Sequence, residues 1–269
     1  MRGASADSLA TLVDALEASV ATGADAGRIA DDLFGVAAML RREPALRRVA
    51  TDVSVAPEAK GNLIRGILGD RLEAASSELV ARAVTLRWAA TTDLGYALEY
   101  VGVVAAVKAA EQAGEADALE DELFGFERLV SENPQLRDAL SDPARSEAEK
   151  RRLLEDLLGG RATASLSRLA GQAVSGSHRT VAVAIEEYQK IAAEHRNRLV
   201  ATVLVARGLA EADQQRLHEV LAEQYHRPVH LNIVVDPEVI GGMRVEIGDD
   251  VIDGTVASRL VDARRRLAG

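Results

Sequence analysis

The sequence predicts a mainly α-helical fold with a small α/β domain at the C-terminal end: a duplicated helical-bundle unit followed by a strand-helix-strand-strand-helix module. Three observations predict it. Alanine and leucine are abundant while aromatic residues make up 3% of the 269 residues, a composition suited to helices packed through small aliphatic side chains. The first two-thirds of the chain repeats itself at an offset of 90 positions, which implies two copies of one helical unit. After Arg198 the apolar spacing changes from a helical period to strict alternation, the mark of strands.

The repeat divides the helical part into residues 1–92 and 93–197. Asp31, Leu33, Phe34 and Gly35 meet Asp121, Leu123, Phe124 and Gly125, and Pro44, Leu46, Arg47 and Asp52 meet Pro134, Leu136, Arg137 and Asp142. The register continues without a gap, so that Lys60, Leu63, Leu68 and Gly69 meet Lys150, Leu153, Leu158 and Gly159. In each copy a helix (residues 8–20, then 96–113) opens the unit. The next helix ends before Pro44 or Pro134, because the residue before a proline avoids the α region. The proline then opens a short helix, its fixed φ being suited to a first turn. A further helix, 58–68 or 147–158, is expected to stop at Gly69 or Gly159 in the left-handed conformation that glycine tolerates. Longer helical patterns follow at 72–90 and 162–174, and residues 180–196 close the second copy with a sixth helix.

Residues 198–269 form the third domain. Leu199, Ala201, Val203 and Val205 alternate with Val200, Thr202 and Leu204 in an almost wholly apolar run, which predicts a strand covered on both faces. Residues 210–225 return to helical period, with Leu217, Val220 and Leu221 on one side. Val229, Leu231, Ile233 and Val235 then alternate with His230, Asn232 and Val234, and Met243, Val245 and Ile247 with Arg244 and Glu246, predicting two half-buried strands. Between them Asp236-Pro237 suits a turn, and Gly241-Gly242 permits positive φ or a close backbone approach. After Gly248-Asp249-Asp250 a short strand through Val251 and Ile252 is expected. Asp253 is then placed to offer its carboxylate to the amides of Thr255 and Val256. The helix it would cap carries Val256, Leu260, Ala263 and Leu267 on one side and Arg264, Arg265 and Arg266 in its last turns, where cations offset the dipole.

Two blocks of this tail, V-D-P-x-x-I-G-G at 235–242 and V-x-x-G-D-x-V-I-D-G-T at 245–255, resemble the C-terminal signature of the delta subunit of bacterial F-type ATP synthases, the counterpart of the mitochondrial oligomycin-sensitivity-conferring protein. The signature positions are Asp236, Pro237, Ile240, Gly241, Gly242, Gly248, Asp249, Ile252, Asp253 and Gly254. Residues 96–269 look like a whole family member, with its six-helix bundle and smaller α/β domain. Residues 1–92 depart from the usual pattern and look like the enlargement seen in actinobacterial members.

The resemblance implies a non-catalytic stator subunit on the cytoplasmic face of the bacterial cell membrane. Its helical region would sit on the alpha/beta catalytic head and receive the N-terminal helix of an alpha subunit. Its α/β domain would grip b-type stalk subunits, so that the head resists rotor torque and proton flow stays coupled to ATP synthesis. In the family the alpha helix lies between the first and fifth bundle helices. In the second copy that groove would be lined by Val101, Val104, Leu166 and Leu169; the first copy offers Leu12, Val13 and Leu16 with Leu79 and Ala83. Connectivity to the α/β domain favours the second copy. A helical-repeat adaptor with an unrelated α/β tail, and an enzyme with an unrecognised site, stay open as alternatives.

The rest of the sequence narrows the chemistry. A net charge of −10 opposes phosphate backbones, so nucleic acid is not an expected partner. The absence of cysteine excludes disulfides, thiolate metal sites and cysteine nucleophiles. No apolar run is long enough to cross a membrane, so any membrane association must come through a partner. No phosphate-loop or dinucleotide fingerprint occurs, and no cofactor or metal is expected. His218, His226 and His230 do not share an element that would make them converge on a metal. Ser175, Ser177 and His178 read as an interhelical turn, because no nucleophile elbow surrounds them. Asp31-Asp32 and Asp249-Asp250 are neighbours that point apart, and are expected on solvated faces.

Overall fold

The computed structural model describes residues 1–195, 199–225, 229–237, 239–247 and 250–256. The chain forms two compact units, Met1–Ala192 and a second from Ala193 onward. The first is built of helices α1 (Ala4–Ala21), α2 (Ala26–Arg42), α3 (Pro44–Thr51), α4 (Pro57–Leu68), α5 (Ala74–Thr85), α6 (Asp93–Ala113), α7 (Ala116–Glu132), α8 (Pro134–Ser141), α9 (Glu147–Leu158), α10 (Ala164–Ser175) and α11 (Val181–His195). Helices α2 to α5 recur as α7 to α10, each beginning 90 residues later.

The repeat is three-dimensional as well as linear. Helix α5 packs against α1, α2 and α4, and α10 packs in the same way against α6, α7 and α9. The two copies are joined through α2 and α6, which run alongside one another. Gly102 lies directly under the Phe34 ring, where an added Cβ would come within 2.6 Å of Cε1. Helix α6 is consequently buried around nearly its whole girth between Leu94 and Val107, and one apolar core runs through both copies.

Local differences from the expected pattern have physical causes. Helix α9 ends at Gly159 with φ 52 in the left-handed region, as expected, but Gly69 is right-handed at φ −54. There the chain tightens into a 3₁₀ turn, Gly69–Arg71, and the N–H of Glu73 just beyond it donates to Asp32 Oδ2 at 2.9 Å. Helix α5 stops at Thr85 instead of running to residue 90, and Trp88 folds back to donate its Nε1–H to the Ala83 carbonyl at 2.9 Å. Asp32 is therefore buried, not solvated; its neighbour Asp31 points away to Arg168 Nε at 3.1 Å.

The second unit contains β1 (Leu199–Val205), α12 (Glu211–Tyr225), β2 (Val229–Val235), β3 (Met243–Ile247) and β4 (Asp250–Asp253). They form a sheet of order β2-β1-β3-β4. Strand β2 pairs parallel to β1, Val203 opposite Ile233, while β3 pairs antiparallel to β1, Val203 opposite Val245, and antiparallel to β4, Val245 opposite Ile252. Ala201, Val203, Val205, Val229, Val245 and Ile247 form the core with Leu221 of α12. Strand β1 is fully buried on that face only, because Thr202 and Leu204 on the other are half-buried. The seam of α12 runs through Leu217, Leu221, Ala222 and Tyr225, which leaves Val220 outside it at 53% exposure. Beyond Val256 the expected final helix, with Leu260, Ala263, Leu267 and Arg264–Arg266, lies outside the described residues.

Candidate functional site

The two glycine-containing blocks of the tail are brought into contact. A turn follows β2, the N–H of Val239 donating to the Asp236 carbonyl at 3.1 Å, and the Asp236 N–H itself donates to Val205 O at 2.9 Å. Gly242 has φ 80 and sits against Gly254: a Cβ there would strike the Gly254 carbonyl oxygen and come within 2.9 Å of Thr255 Cα. Both requirements, a left-handed backbone and no side chain, select glycine. The N–H of Gly254 donates to Met243 O and that of Val256 to Gly241 O, both at 2.9 Å, stitching the second block to the first.

Asp253 accepts the Thr255 N–H at 2.9 Å, and that bond holds its carboxyl below the ordinary carboxylate value. The expected second bond, from Val256, is absent because that amide is committed to Gly241 O. Fixing the turn pushes side chains outward: Ile240 is 80% exposed, and Ile252 of β4 and Val256 are also exposed. Pro237 is exposed and Asp236 half-buried. Gly248 and Asp249 lie outside the described residues.

The four residues marked from sequence as liners of a helix-binding groove are all core. Val101 and Val104 of α6 and Leu166 and Leu169 of α10 are each at most 3% exposed. The reason is α2, which runs along α6 and reaches α10, where the Arg168 guanidinium lies over Gly27 and pairs with Asp31. In this structure these four side chains are therefore not available at the surface. In the first copy Leu12, Leu16, Leu79 and Ala83 are buried too.

Sequence reasoning missed a buried ionic cluster at the junction of the copies. Glu99 is 3% exposed; its Oε2 meets Arg41 Nη1 at 3.2 Å, and it accepts the Ser177 N–H at 3.2 Å. Arg41 Nη2 donates to the Ser175 carbonyl at 2.7 Å, and Arg151 Nη2 to Ser175 Oγ at 3.0 Å. Burial, reinforced by the Glu99 charge, pushes the Tyr188 hydroxyl far up from its ordinary pKa. With its carboxylate already met by a cation and an amide, the cluster clamps α2 and the α10–α11 turn onto α6. A signal was present: Glu99 is the lone charge in the apolar run from Tyr96 to Val107.

Ser175, Ser177 and His178 do form an interhelical turn, in which His178 stacks edge-on to Tyr188 with centroids 5.6 Å apart. His218 lies on α12, and among the described residues no three His, Asp or Glu side chains are grouped to hold a metal ion. Nor is any helix among them long and apolar enough to cross a membrane.

Comparison with known proteins gives a consistent result. The family profile "ATP synthase delta (OSCP) subunit" matches residues 103–267. A Nocardioides protein named ATP synthase subunit delta is 53% identical over 269 residues, covering 100% of this chain and 98% of its own. Proteins of the same name from Streptomyces avermitilis and Thermobifida fusca are 45% and 36% identical, covering 99% and 100% of this chain and 98% and 100% of their own.

Proposed function

Because the chain belongs to the ATP synthase delta (OSCP) subunit family, a family of structural rather than catalytic subunits, we propose that it is the peripheral-stalk subunit that links the alpha/beta catalytic head to the b-type stalk. It then acts at the cytoplasmic face of the cell membrane as a peripheral part of the complex. Its task is to transmit torque resistance, so that rotation in the centre of the head drives nucleotide chemistry instead of turning the head. The division of labour follows the two units: residues 1–92 and 93–197 serve the head and its alpha-subunit helix, and residues 198–269 serve the stalk.

The observation that carries the reading is the junction of the two signature blocks. Gly242 against Gly254 fixes a rigid turn that presents Ile240 and Ile252 to solvent, and rigidly held exposed aliphatics are what a helical stalk can bury. Because Val101, Val104, Leu166 and Leu169 are buried, the head's helix docks on other residues of the helical unit.

Copurification tests this. The full chain should bring down alpha, beta and b-type subunits. Ile240→Asp should weaken capture of the b-type chain about tenfold, equivalent to about 1.4 kcal/mol, with the melting temperature and head capture unchanged. Gly242→Val should cost about 1–3 kcal/mol of stability in the α/β unit and reduce b-type capture in parallel. Full b-type capture by both variants would refute the assignment of the stalk to this unit.

A further inference from the structure

A cavity of about 280 Å³ lies where the end of α2 and helix α3 face the first turns of α6 and the α10–α11 turn. Sites for drug-sized ligands run from about 300 to 1,000 Å³, so this one suits a small ion with its waters and not a nucleotide. Arg41, Arg47, Thr92, Glu99 and Ser177 line it, Gly95 brings bare backbone to it, and Tyr96, 47% exposed, borders it.

The charges of this lining do not balance. Glu99 Oε2 is met by Arg41 Nη1 at 3.2 Å, which leaves Arg47 as the uncompensated charge. Arg47 donates from Nη1 to the Leu40 carbonyl at 3.3 Å, while its Nε is buried with no hydrogen-bond partner among the described residues. A buried donor left unmet costs free energy that an acceptor in the cavity would recover. The carboxylates nearby are placed elsewhere. Glu43, one turn before Arg47, is exposed and outside the lining. Asp93, at the start of α6, receives the Ser5 hydroxyl at 2.6 Å and the Ala90 N–H at 3.2 Å. The first turn of α6 adds a donor of its own: its ladder begins with the Tyr96 N–H on the Thr92 carbonyl, and no side chain caps it. The Gly95 N–H therefore has no intrahelical acceptor. A guanidinium fork, a backbone N–H at the positive end of a helix and two hydroxyls are together the chemistry that receives a tetrahedral oxyanion.

We propose that this cavity binds a phosphate-type oxyanion, with Arg47 as its principal cation and the Gly95 N–H and the hydroxyls of Thr92 and Ser177 as further donors. Bound there, the anion ties α3 to α6 and to the α10–α11 turn, and so reinforces the junction that Glu99 and Arg41 already hold. Arg137, which takes the place of Arg47 in the second copy, is exposed and serves as the internal control. The proposal does not depend on which subunits surround the protein.

The test titrates inorganic phosphate into the isotope-labelled full chain and follows its amide and arginine Nε–H signals by NMR. Saturable shifts are expected at Gly95, Ser177 and Arg47, with a Kd on the order of 1 mM. Sodium chloride at the same ionic strength should leave those signals in place. Arg47→Gln should weaken binding about tenfold or more, and Arg137→Gln should leave it unchanged, the melting temperature checking that both variants fold. Should Arg47→Gln fail to fold, Arg47→Lys carries the test: it keeps the charge but lacks the Nε–H, and binding should weaken severalfold. Shifts that chloride reproduces, shifts centred on other residues, or no saturation over the millimolar range would overturn the proposal. So would equal losses in the Arg47 and Arg137 variants, or binding indifferent to the change at Arg47.

Discussion

Helices α2 and α7 occupy equivalent places in the two copies, yet α2 is fully buried along two stripes and α7 along one. Both carry the same inner stripe, Ile29, Leu33, Val36 and Leu40 in α2 and Leu119, Leu123, Phe126 and Val130 in α7, and all eight are buried. They part at a second stripe. Ala26, Ala30, Phe34 and Ala37 of α2 are buried, and Phe34 rests on Gly102 of α6. The equivalent positions of α7 hold Ala116, Glu120, Phe124 and Glu127; Glu120 is buried at 6% exposure, and the other three are half-buried. A bundle thus becomes an internal link in a stack when its second helix gains a smooth small-residue face. In α7 carboxylates take the places of Ala30 and Ala37, and that face is only partly covered.

The largest expected effect tests this contrast directly. Phe34→Ala should cost about 3–5 kcal/mol, the usual range for emptying a buried phenylalanine site. Phe124→Ala should cost less than half as much, since part of that ring already faces water. Urea unfolding of the two variants gives the comparison, and equal losses would mean that the second stripe does not set the junction.

The same contrast shows what could be read from sequence. The 90-residue offset was legible because the prolines, helix-ending glycines and inner stripe are all fixed by local backbone geometry and one shared core. Helix α9 falls at the expected 147–158 because Ser146 caps it and Gly159 stops it. The signature turn was legible for the same reason, since Gly242 answers to a positive φ and a close carbonyl. Which helix covers α6 was not legible, because Val101, Val104, Leu166 and Leu169 look alike whether a partner or a segment of the same chain packs on them. The burial of Asp32 was hidden too, for its partners include the N–H of Glu73, 41 residues away.

A smaller effect separates the two helix-ending glycines. Gly159 has φ 52, so Gly159→Ala should destabilise by about 1–2 kcal/mol, the cost of a left-handed alanine. Gly69 is right-handed at φ −54, and an added Cβ would meet only Ser77 Oγ at 3.9 Å. Gly69→Ala should therefore stabilise by about 0.4–1 kcal/mol, by restricting the unfolded chain. Thermal melts read both, and like signs would contradict the difference between the two stops.

The smallest effect lies at the start of the same helix pair and depends on pH. Helix α9 opens with a capping box: the Ser146 side chain receives the Glu149 N–H at 3.3 Å, and the Glu149 carboxylate receives the Ser146 hydroxyl and N–H, both at 2.8 Å. Helix α4 has Ala56 and Ala59 at those positions and no side-chain cap. Removing the cap with Ser146→Ala should cost about 1 kcal/mol at neutral pH. The Ser146 hydroxyl, followed by its N–H, holds the Glu149 carboxyl below its ordinary value of 4.5. A carboxyl whose folded pKa is depressed stabilises the native state in full above the unfolded value, and that contribution disappears as pH falls through the folded value. The gap between wild type and Ser146→Ala should therefore be widest above pH 4.5 and narrow below it, the carboxyls elsewhere cancelling between the two proteins. Installing Ala56→Ser with Ala59→Glu in α4 should create a second gain with the same acid dependence. A gap that stays constant from pH 7 to pH 3 would show that the serine acts only through its hydroxyl on the backbone, and that the reciprocal carboxylate bond adds nothing to the difference between the copies.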